Sequence, residues 1–295
     1  MKSSPLNEEI ELLENGHTDN NNKDNFQKHK SFYSFLENIK IKYKPLISVI
    51  LPLFNEEKTI KKVLENLPHH SLIEVIVIDD SSEDNSLEEI RKAKSPRKIK
   101  IIKHSKNKGY GGAILSGIKN SLGKIIVTMD TDGQHSSDDI FNLIKPILEE
   151  DVDLTIGSRY LGKYFYKLPI VTRLGEIIIE KVIQIFFGIK IMNNQNGFRA
   201  FNSQINHIFE NMTYRGYAFC TETILKANLN GYKIKECPIK VYDREYGYSK
   251  IVVRQLAIRI FMCIFQYLGI KYLPSQKDNE NTFLKKLFKK LLKYF

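Results

Sequence analysis

Two carboxylates one residue apart are the first sign of chemistry in this chain. Asp130-Thr131-Asp132-Gly133-Gln134 directly follows the apolar run 125–129. Carboxylates at i and i+2 after a strand converge on one hard divalent cation when the turn brings them round. Mg²⁺ or Mn²⁺ accepts such oxygen ligands while keeping positions for substrate phosphates. The Gln134 amide oxygen can join as a third ligand. The same five residues also suit a solvated acidic turn, with Gly133 supplying ordinary turn chemistry. Asp138 and Asp139 read as caps of the following helix.

A second acidic pair, Asp79 and Asp80, ends the β-branched run 75–78. A carboxylate there can accept hydrogen bonds from a nucleobase or a ribose; Ser81 and Asp84 fit turn and cap roles. Asn107-Lys108-Gly109-Tyr110-Gly111-Gly112 would let a ligand come close to the backbone. It is not the GxGxxG dinucleotide fingerprint, and the sequence holds no P-loop. Arg159, Arg173, Arg199, Arg244 and Lys250 are candidate phosphate contacts, because guanidinium matches phosphate as a bidentate fork. Ordinary surface charge is the alternative for each. Arg173 is the informative one, since it interrupts the apolar helical run 170–189 and must either reach water or meet an anion.

The elements that would position these residues follow from periodicity. Strands are expected at 47–51, 75–78, 99–102, 125–129 and 154–156, alternating with helices at 58–67, 86–93, 113–120 and 138–148. That alternation argues for an α/β fold with a mostly parallel sheet, whose polar strand ends are where ligands bind. The second half contributes the apolar helix 170–189, a helix at 221–230, a strand at 233–241 and an apolar helix at 251–268. At the end of the chain, apolar pairs at 283/284, 287/288 and 291/292 alternate with lysines at 285, 286, 289, 290 and 293. Such spacing predicts an interfacial helix, or one docked on another subunit. Residues 1–30 are polar and read as a mobile tail. Phe32, Phe35, Leu36 and Ile39 have the spacing of a short docking helix.

With 295 residues, 42% of them hydrophobic, the chain can bury a substantial core. A formal charge of +11 points to an anionic partner: phosphate, anionic lipid or nucleic acid. Three cysteines without metal-ligand spacing fit a reducing compartment. No apolar signal region is read in residues 1–40. The most apolar stretch, 260–270, is about half the length of a membrane span, which leaves a surface association open.

Taken together, the motifs resemble the GT-A-type family 2 glycosyltransferases, and among them the polyprenyl- and dolichyl-phosphate sugar synthases. The likeness runs over about residues 47–250. It rests on Val49-Ile50-Leu51-Pro52-Leu53-Phe54-Asn55-Glu56-Glu57, Val77-Ile78-Asp79-Asp80, the Asn107–Gly112 segment and the DxD element of residues 129–135. It continues through Gly157-Ser158-Arg159-Tyr160, Gln195-Asn196-Gly197-Phe198-Arg199, Glu222, Arg244 and Gly247-Tyr248-Ser249-Lys250.

The resemblance implies specific roles. Pro52, Phe54, Glu56, Asp79, Asp80, Asn107 and Gly109 would bind the nucleotide, and Asp130, Asp132 and Gln134 would hold Mg²⁺ or Mn²⁺ on its diphosphate. Asp130, Asp132, Arg159, Arg173 and Arg244 would carry the reaction, and Arg159, Arg173, Arg199, Arg244 and Lys250 would grip phosphates. Asn193 and Glu222 would position the sugar. Asn193 stands where relatives usually have Asp.

The implied architecture is a polar extension (1–44), a GT-A catalytic domain (45–250) with an amphipathic helical insert near 165–190, and membrane-associating helices (251–295). The implied activity is transfer of a sugar from a UDP- or GDP-linked donor, UDP being favoured, to dolichyl or polyprenyl phosphate. It would take place on the cytoplasmic face of a membrane, with no nucleic-acid partner. A hydroxyl acceptor, or donor binding without transfer, are the alternatives.

Overall fold

The structure is a computed structural model and describes residues 8–14, 25, 27–38, 45–95, 98–166, 168–244, 246 and 253–272. Ile39, Lys250 and its turn, and the basic segment 283–295 lie outside the described residues.

Four short β-branched runs form the centre of the sheet: β2 (Ile47–Leu53), β3 (Ile73–Asp79), β4 (Lys98–His104) and β5 (Ile125–Thr128). β2, β3 and β5 are apolar almost throughout, as strands covered on both faces must be. Successive residues point to opposite faces. Val49 and Leu51 therefore enter one core with helices α1 (Lys30–Asn38), α2 (Ile60–Asn66), α3 (Ser86–Lys92) and α5 (Ile140–Glu149), while Ile50 enters a second core with α4 (Tyr110–Asn120) and α7 (Phe219–Leu229). A third cluster joins α6 (Ile170–Phe187), α7 and α8 (Val253–Tyr272) through Ile183, Leu225, Cys263 and Ile264. No described helix is long and apolar enough to cross a membrane.

With β1 (Glu8–Glu14), β6 (Leu154–Tyr164), β7 (Arg199–Asn202) and β8 (Ile234–Val241), the sheet has eight strands in the order β1-β4-β3-β2-β5-β7-β6-β8. Strands β4, β3, β2 and β5 are mutually parallel, β6 is parallel to β8, and β7 is antiparallel to both its neighbours. The α/β class and the mostly parallel sheet are therefore as expected. Two reversals across β7 leave β6 and β8 running with β5, so the carboxyl ends of β3, β2, β5, β6 and β8 share one edge.

Local departures from the expected elements have physical causes. β1 falls within the segment that composition reads as a tail. It pairs antiparallel with β4, with Glu9 opposite Lys103 and Glu14 opposite Lys98, and covers an edge that would otherwise be open. α1 docks through Phe32 and Leu36, both buried. β6 runs well past residue 156 because its far half pairs with β8 beyond an irregularity between Ser158 and Lys163. Strand β7, four residues long, carries no alternating pattern and exists through its pairing with both neighbours. Asp139 precedes α5 but makes no capping bond. Its carboxylate instead accepts the Lys240 N–H at 2.7 Å and the Asn142 amide at 3.0 Å, tying the turn to β8.

α4 lies flush on β2 because Gly117 has no side chain: a Cβ there would collide with the Ile50 side chain. Gly117→Ala is expected to destabilise the protein by about 1–3 kcal/mol, because overpacking outweighs the gain in helix propensity. Urea unfolding checks this, and a more stable variant would contradict the close packing.

Candidate active site

The shared edge collects the turns that follow β2, β3 and β5. At β3, Asp79 is fully buried; its Oδ1 accepts the Ser82 N–H at 2.9 Å, while Oδ2 has no hydrogen-bond partner among the described residues. A buried acceptor left open is costly, and a ligand N–H would satisfy it. Pro52 lies near the end of β2, and the turn after it, which carries Phe54 and Glu56, is laced to this one. Asn55 and Glu57 exchange bonds with Ser82, Glu83 and Asp84, and the Glu56 N–H donates to Ser86 Oγ at 2.9 Å.

Asp80 works differently. Its oxygens accept the Lys108 and Gly109 N–H groups, each at 2.8 Å, and lie 2.7 Å from His104 Nδ1. Asp80 thus holds the 107–109 loop, and Asn107 Oδ1 accepts the Gly109 N–H as well, at 2.9 Å. The close approach allowed by the glycines is taken by the protein's own backbone. The Arg215 carbonyl accepts from Gly111 and Gly112 at 2.6 and 3.2 Å, and a Cβ on Gly109, whose φ is +78°, would lie 2.9 Å from it. That contact uses the Gly111 and Gly112 N–H groups within the protein, while Asn107 stays exposed.

At β5, the Asp132 Oδ1 accepts the Gln134 N–H at 3.1 Å, and Oδ2 accepts from Arg244 Nη2 at 3.2 Å. The same guanidinium nitrogen reaches Glu56 Oε1 at 3.0 Å. β8 delivers Arg244: Tyr242 donates its N–H to the Gln134 carbonyl at 2.8 Å, and the Gln134 amide donates to the Tyr242 carbonyl at 3.1 Å. Asp130 Oδ2 lies 3.5 Å from His135 Nε2. Burial, reinforced by the Asp130 charge, raises the Asp132 carboxyl above the ordinary range, with His135, the Gln134 N–H and Arg244 opposing. Among the described residues no three His, Cys, Asp or Glu side chains converge as a closed metal cage. Asp132 and Glu56 around one guanidinium, with Asp130 beside Asp132, nevertheless form an acidic, cation-holding corner. Two carboxylates with open positions fit a Mg²⁺ or Mn²⁺ that completes its shell with phosphate oxygens.

A second charged cluster sits where β6 passes β7. Arg159 Nη2 donates to Glu176 Oε1 at 2.8 Å and to Asn193 Oδ1 at 3.2 Å, and Nη1 bonds the Tyr166 hydroxyl. The Arg173 guanidinium lies 3.8 Å from the Tyr160 ring centre and 3.9 and 4.0 Å from Glu176 and Glu180. Arg159 Nε and Arg173 Nη1 are buried without a hydrogen-bond acceptor among the described residues. Adjacent strands are about 4.8 Å apart, so the four spacings from β3 to β6 place Asp79 and Arg159 roughly 19 Å apart across the edge. Asp130 lies between them.

The sequence pattern of the family described as Glycosyl transferase family 2 matches residues 48–215. The chain belongs to glycosyl transferase family 2. This glycosyltransferase is 35% identical over 234 residues to UDP-N-acetylglucosamine–dolichyl-phosphate N-acetylglucosaminyltransferase of Methanococcus voltae, covering 73% of this chain and 93% of the relative. It is 29% identical over 246 residues to dolichol-phosphate mannosyltransferase of Pyrococcus furiosus, covering 79% and 65%. Its fold matches glucosyl-3-phosphoglycerate synthase of Mycobacterium tuberculosis with a TM-score of 0.59 at 18% identity, over 81% of this chain and 85% of that one. The sheet is thus the GT-A fold. One structure of that synthase holds Mn²⁺, UDP and glucosyl-3-phosphoglycerate.

Within this glycosyltransferase, the residues expected to act together fall into two groups. Glu56, Asp130, Asp132, Gln134 and Arg244 meet at one corner; Arg159, Arg173 and Asn193 meet at the other. Arg199 differs from the expected phosphate contact. It is buried, and its Nε, Nη1 and Nη2 donate to the carbonyls of Asn196, Cys220 and Asn194 at 2.7, 2.8 and 2.6 Å. Glu222 is likewise fully buried, accepting from the Thr213 and Tyr214 N–H groups and the Tyr267 hydroxyl. Sequence reasoning passed over Glu176 and Glu180 as site residues. Their signal was present: two acids spaced i+3 and i+7 from Arg173 on an otherwise apolar helix.

Protonated Asp132 is a poor metal ligand. Mn²⁺ affinity in the presence of UDP is therefore expected to hold at neutral pH and to fall as pH drops through the raised pKa, by up to about tenfold per pH unit. Arg244 lowers that pKa, so Arg244→Ala shifts the onset of the fall to higher pH. Electron paramagnetic resonance of free Mn²⁺ reads both, and an unshifted onset would contradict the coupling.

Proposed function

We propose that the protein transfers a sugar from a UDP-linked donor to dolichyl or polyprenyl phosphate at the cytoplasmic face of a membrane. The carrying observation is the placement of the arginine cluster. Arg159 and Arg173 hold buried donors open beside the acidic corner, and Arg173 projects from a helix whose other face is apolar and exposed. In α6, Ile170, Val171 and Ile185 are 78%, 80% and 73% exposed, with Leu174 and Ile178 beside them. An apolar face of that kind on an amphipathic helix suits the lipid interface. The Methanococcus relative's UDP-linked donor and dolichyl-phosphate acceptor support both substrates, and the free, buried cysteines fit a reducing compartment.

In this reading Asp79 Oδ2 accepts from the nucleobase, and Pro52 and Phe54 flank it. Asp130 and Asp132, with Gln134, hold the divalent cation, whose charge offsets that of the leaving diphosphate. Arg244 leaves its bonds to Glu56 and Asp132 and turns to phosphate. Arg159 and Arg173 fix the acceptor phosphate, and Glu176 and Tyr160 fix the two arginines. One acceptor oxygen attacks the anomeric carbon as the bond to the diphosphate breaks, inverting that centre. The acceptor is already anionic, so no base is required. Asn193 fits this chemistry: its amide donates to the Gly157 carbonyl at 3.3 Å and its oxygen accepts from Arg159, so it orients the cluster.

The test is transfer from radiolabelled UDP- and GDP-sugars to dolichyl or polyprenyl phosphate with Mg²⁺ or Mn²⁺, scored as organic-extractable, mild-acid-labile label. Label lost in an Asp130→Asn, Asp132→Asn variant is expected. A folded protein that binds donor yet labels no lipid would sink the proposal. Arg173→Ala is expected to cut kcat/KM at least a hundredfold, with donor Kd within about twofold. Ile170→Glu with Val171→Glu should slow transfer to long-chain acceptor in vesicles while sparing a short, water-soluble polyprenyl phosphate. Equal losses on both acceptors would argue against α6 as the membrane face.

A further inference from the structure

An aromatic stack that no step above uses stands beside the acidic corner. The Tyr217 ring packs on Tyr110 with centroids 5.2 Å apart and planes 14° from parallel. Tyr110 belongs to the second core, and its hydroxyl donates to the Gly197 carbonyl at 3.4 Å. Gly197 has no room for a side chain: a Cβ there would collide with that hydroxyl and lie 2.7 Å from Asp130 Oδ1. The Tyr110 hydroxyl and the metal-holding carboxylate therefore converge on the space that a side chain at Gly197 would fill. Tyr217 itself is 40% exposed. One face rests on Tyr110, and part of the ring is exposed.

The segment carrying Tyr217 is clamped at several points. Arg215 gives its carbonyl to the first turn of α4, Glu222 holds the Thr213 and Tyr214 N–H groups, and the Tyr217 carbonyl accepts the Cys220 N–H at 3.0 Å. An exposed ring held this rigidly costs little further entropy on binding. The order of the sheet edge says what meets it. A donor with its base at Asp79 and its diphosphate at Asp130 places its sugar on the β7 side of Asp130, before the Arg159 corner. Gly197, just before β7, borders Asp130 there, with Tyr110 against it and Tyr217 close enough to feel the Asp130 and Asp132 charges. A pyranose turns C–H bonds outward from its ring face, and these pack on the electron-rich face of an aromatic ring.

We propose that Tyr217, backed by Tyr110, is the platform on which the transferred sugar rests, and so a specificity-determining residue. The inference rests on the proposed glycosyl transfer. Burial, together with the Asp130 and Asp132 charges, pushes the Tyr217 phenol up to about 12, so the ring stays neutral in this acidic neighbourhood.

Isothermal titration in Mn²⁺ with two pairs, UDP-N-acetylglucosamine against UDP and GDP-mannose against GDP, separates sugar from nucleotide. For the pair that wild type binds, Tyr217→Ala and Tyr217→Leu are expected to weaken the sugar nucleotide about tenfold and leave the free diphosphate within about twofold. Tyr217→Leu keeps the bulk of the side chain and guards against misfolding of the alanine variant, while Tyr217→Phe should bind like wild type. Equal weakening of both members of the pair, no change in either, or loss in Tyr217→Phe would each overturn the platform alone. Wild type that binds neither pair would overturn the proposed function and the platform with it.

Discussion

The buried guanidinium of Arg199 is the bolt on which the site's geometry depends. It opens β7 opposite Thr128 of β5 and Ile156 of β6, and its bonds to the carbonyls of Asn194, Asn196 and Cys220 pin the preceding loop to α7. A buried cation without acceptors is costly, whereas one whose Nε, Nη1 and Nη2 all bond carbonyls is compatible with the fold and rigid. β7 in turn reverses the sheet twice in succession. That reversal turns β6 to run with β5 and puts Arg159 on the same edge as Asp130.

The two charged corners are then held in opposite electrostatic states. Around Asp130 and Asp132 the acids outnumber the cations, and Arg244 is drawn in between Glu56 and Asp132. Around Arg159 and Arg173 the guanidinium groups share Glu176 and Glu180, yet still hold donors without acceptors among the described residues. An acidic corner suits a cation and a donor-rich corner suits an anion. In the proposed reaction, their separation along one edge would let two phosphate-bearing substrates come together without the full cost of their repulsion.

Much of this was legible from residue types. The β-branched runs at 47–51, 75–78 and 125–129 announced buried parallel strands, because period and composition are local properties. The DxD turn, the acid after β3 and the interrupted helix 170–189 were found for the same reason. What misled was chemistry whose partner lies far along the chain. Asp80 looks like a nucleotide ligand until Lys108 and Gly109 consume its oxygens. The glycines at 109, 111 and 112 look like a ligand cradle until Arg215, more than a hundred residues on, fills it. Arg199 looks like a phosphate contact until three carbonyls surround it.

By itself, then, the sequence determined the fold class, the family and the inventory of charged groups, since each is written in neighbouring residues. Only the tertiary structure decided which groups are spent on the protein and which remain for a ligand. That division separates Asp79 from Asp80 and Arg159 from Arg199, and it brings Tyr217 to the side of Asp130. The reason is physical: a side chain's capacity for hydrogen bonding is set by its type, but the partners that use that capacity are supplied by packing between distant strands.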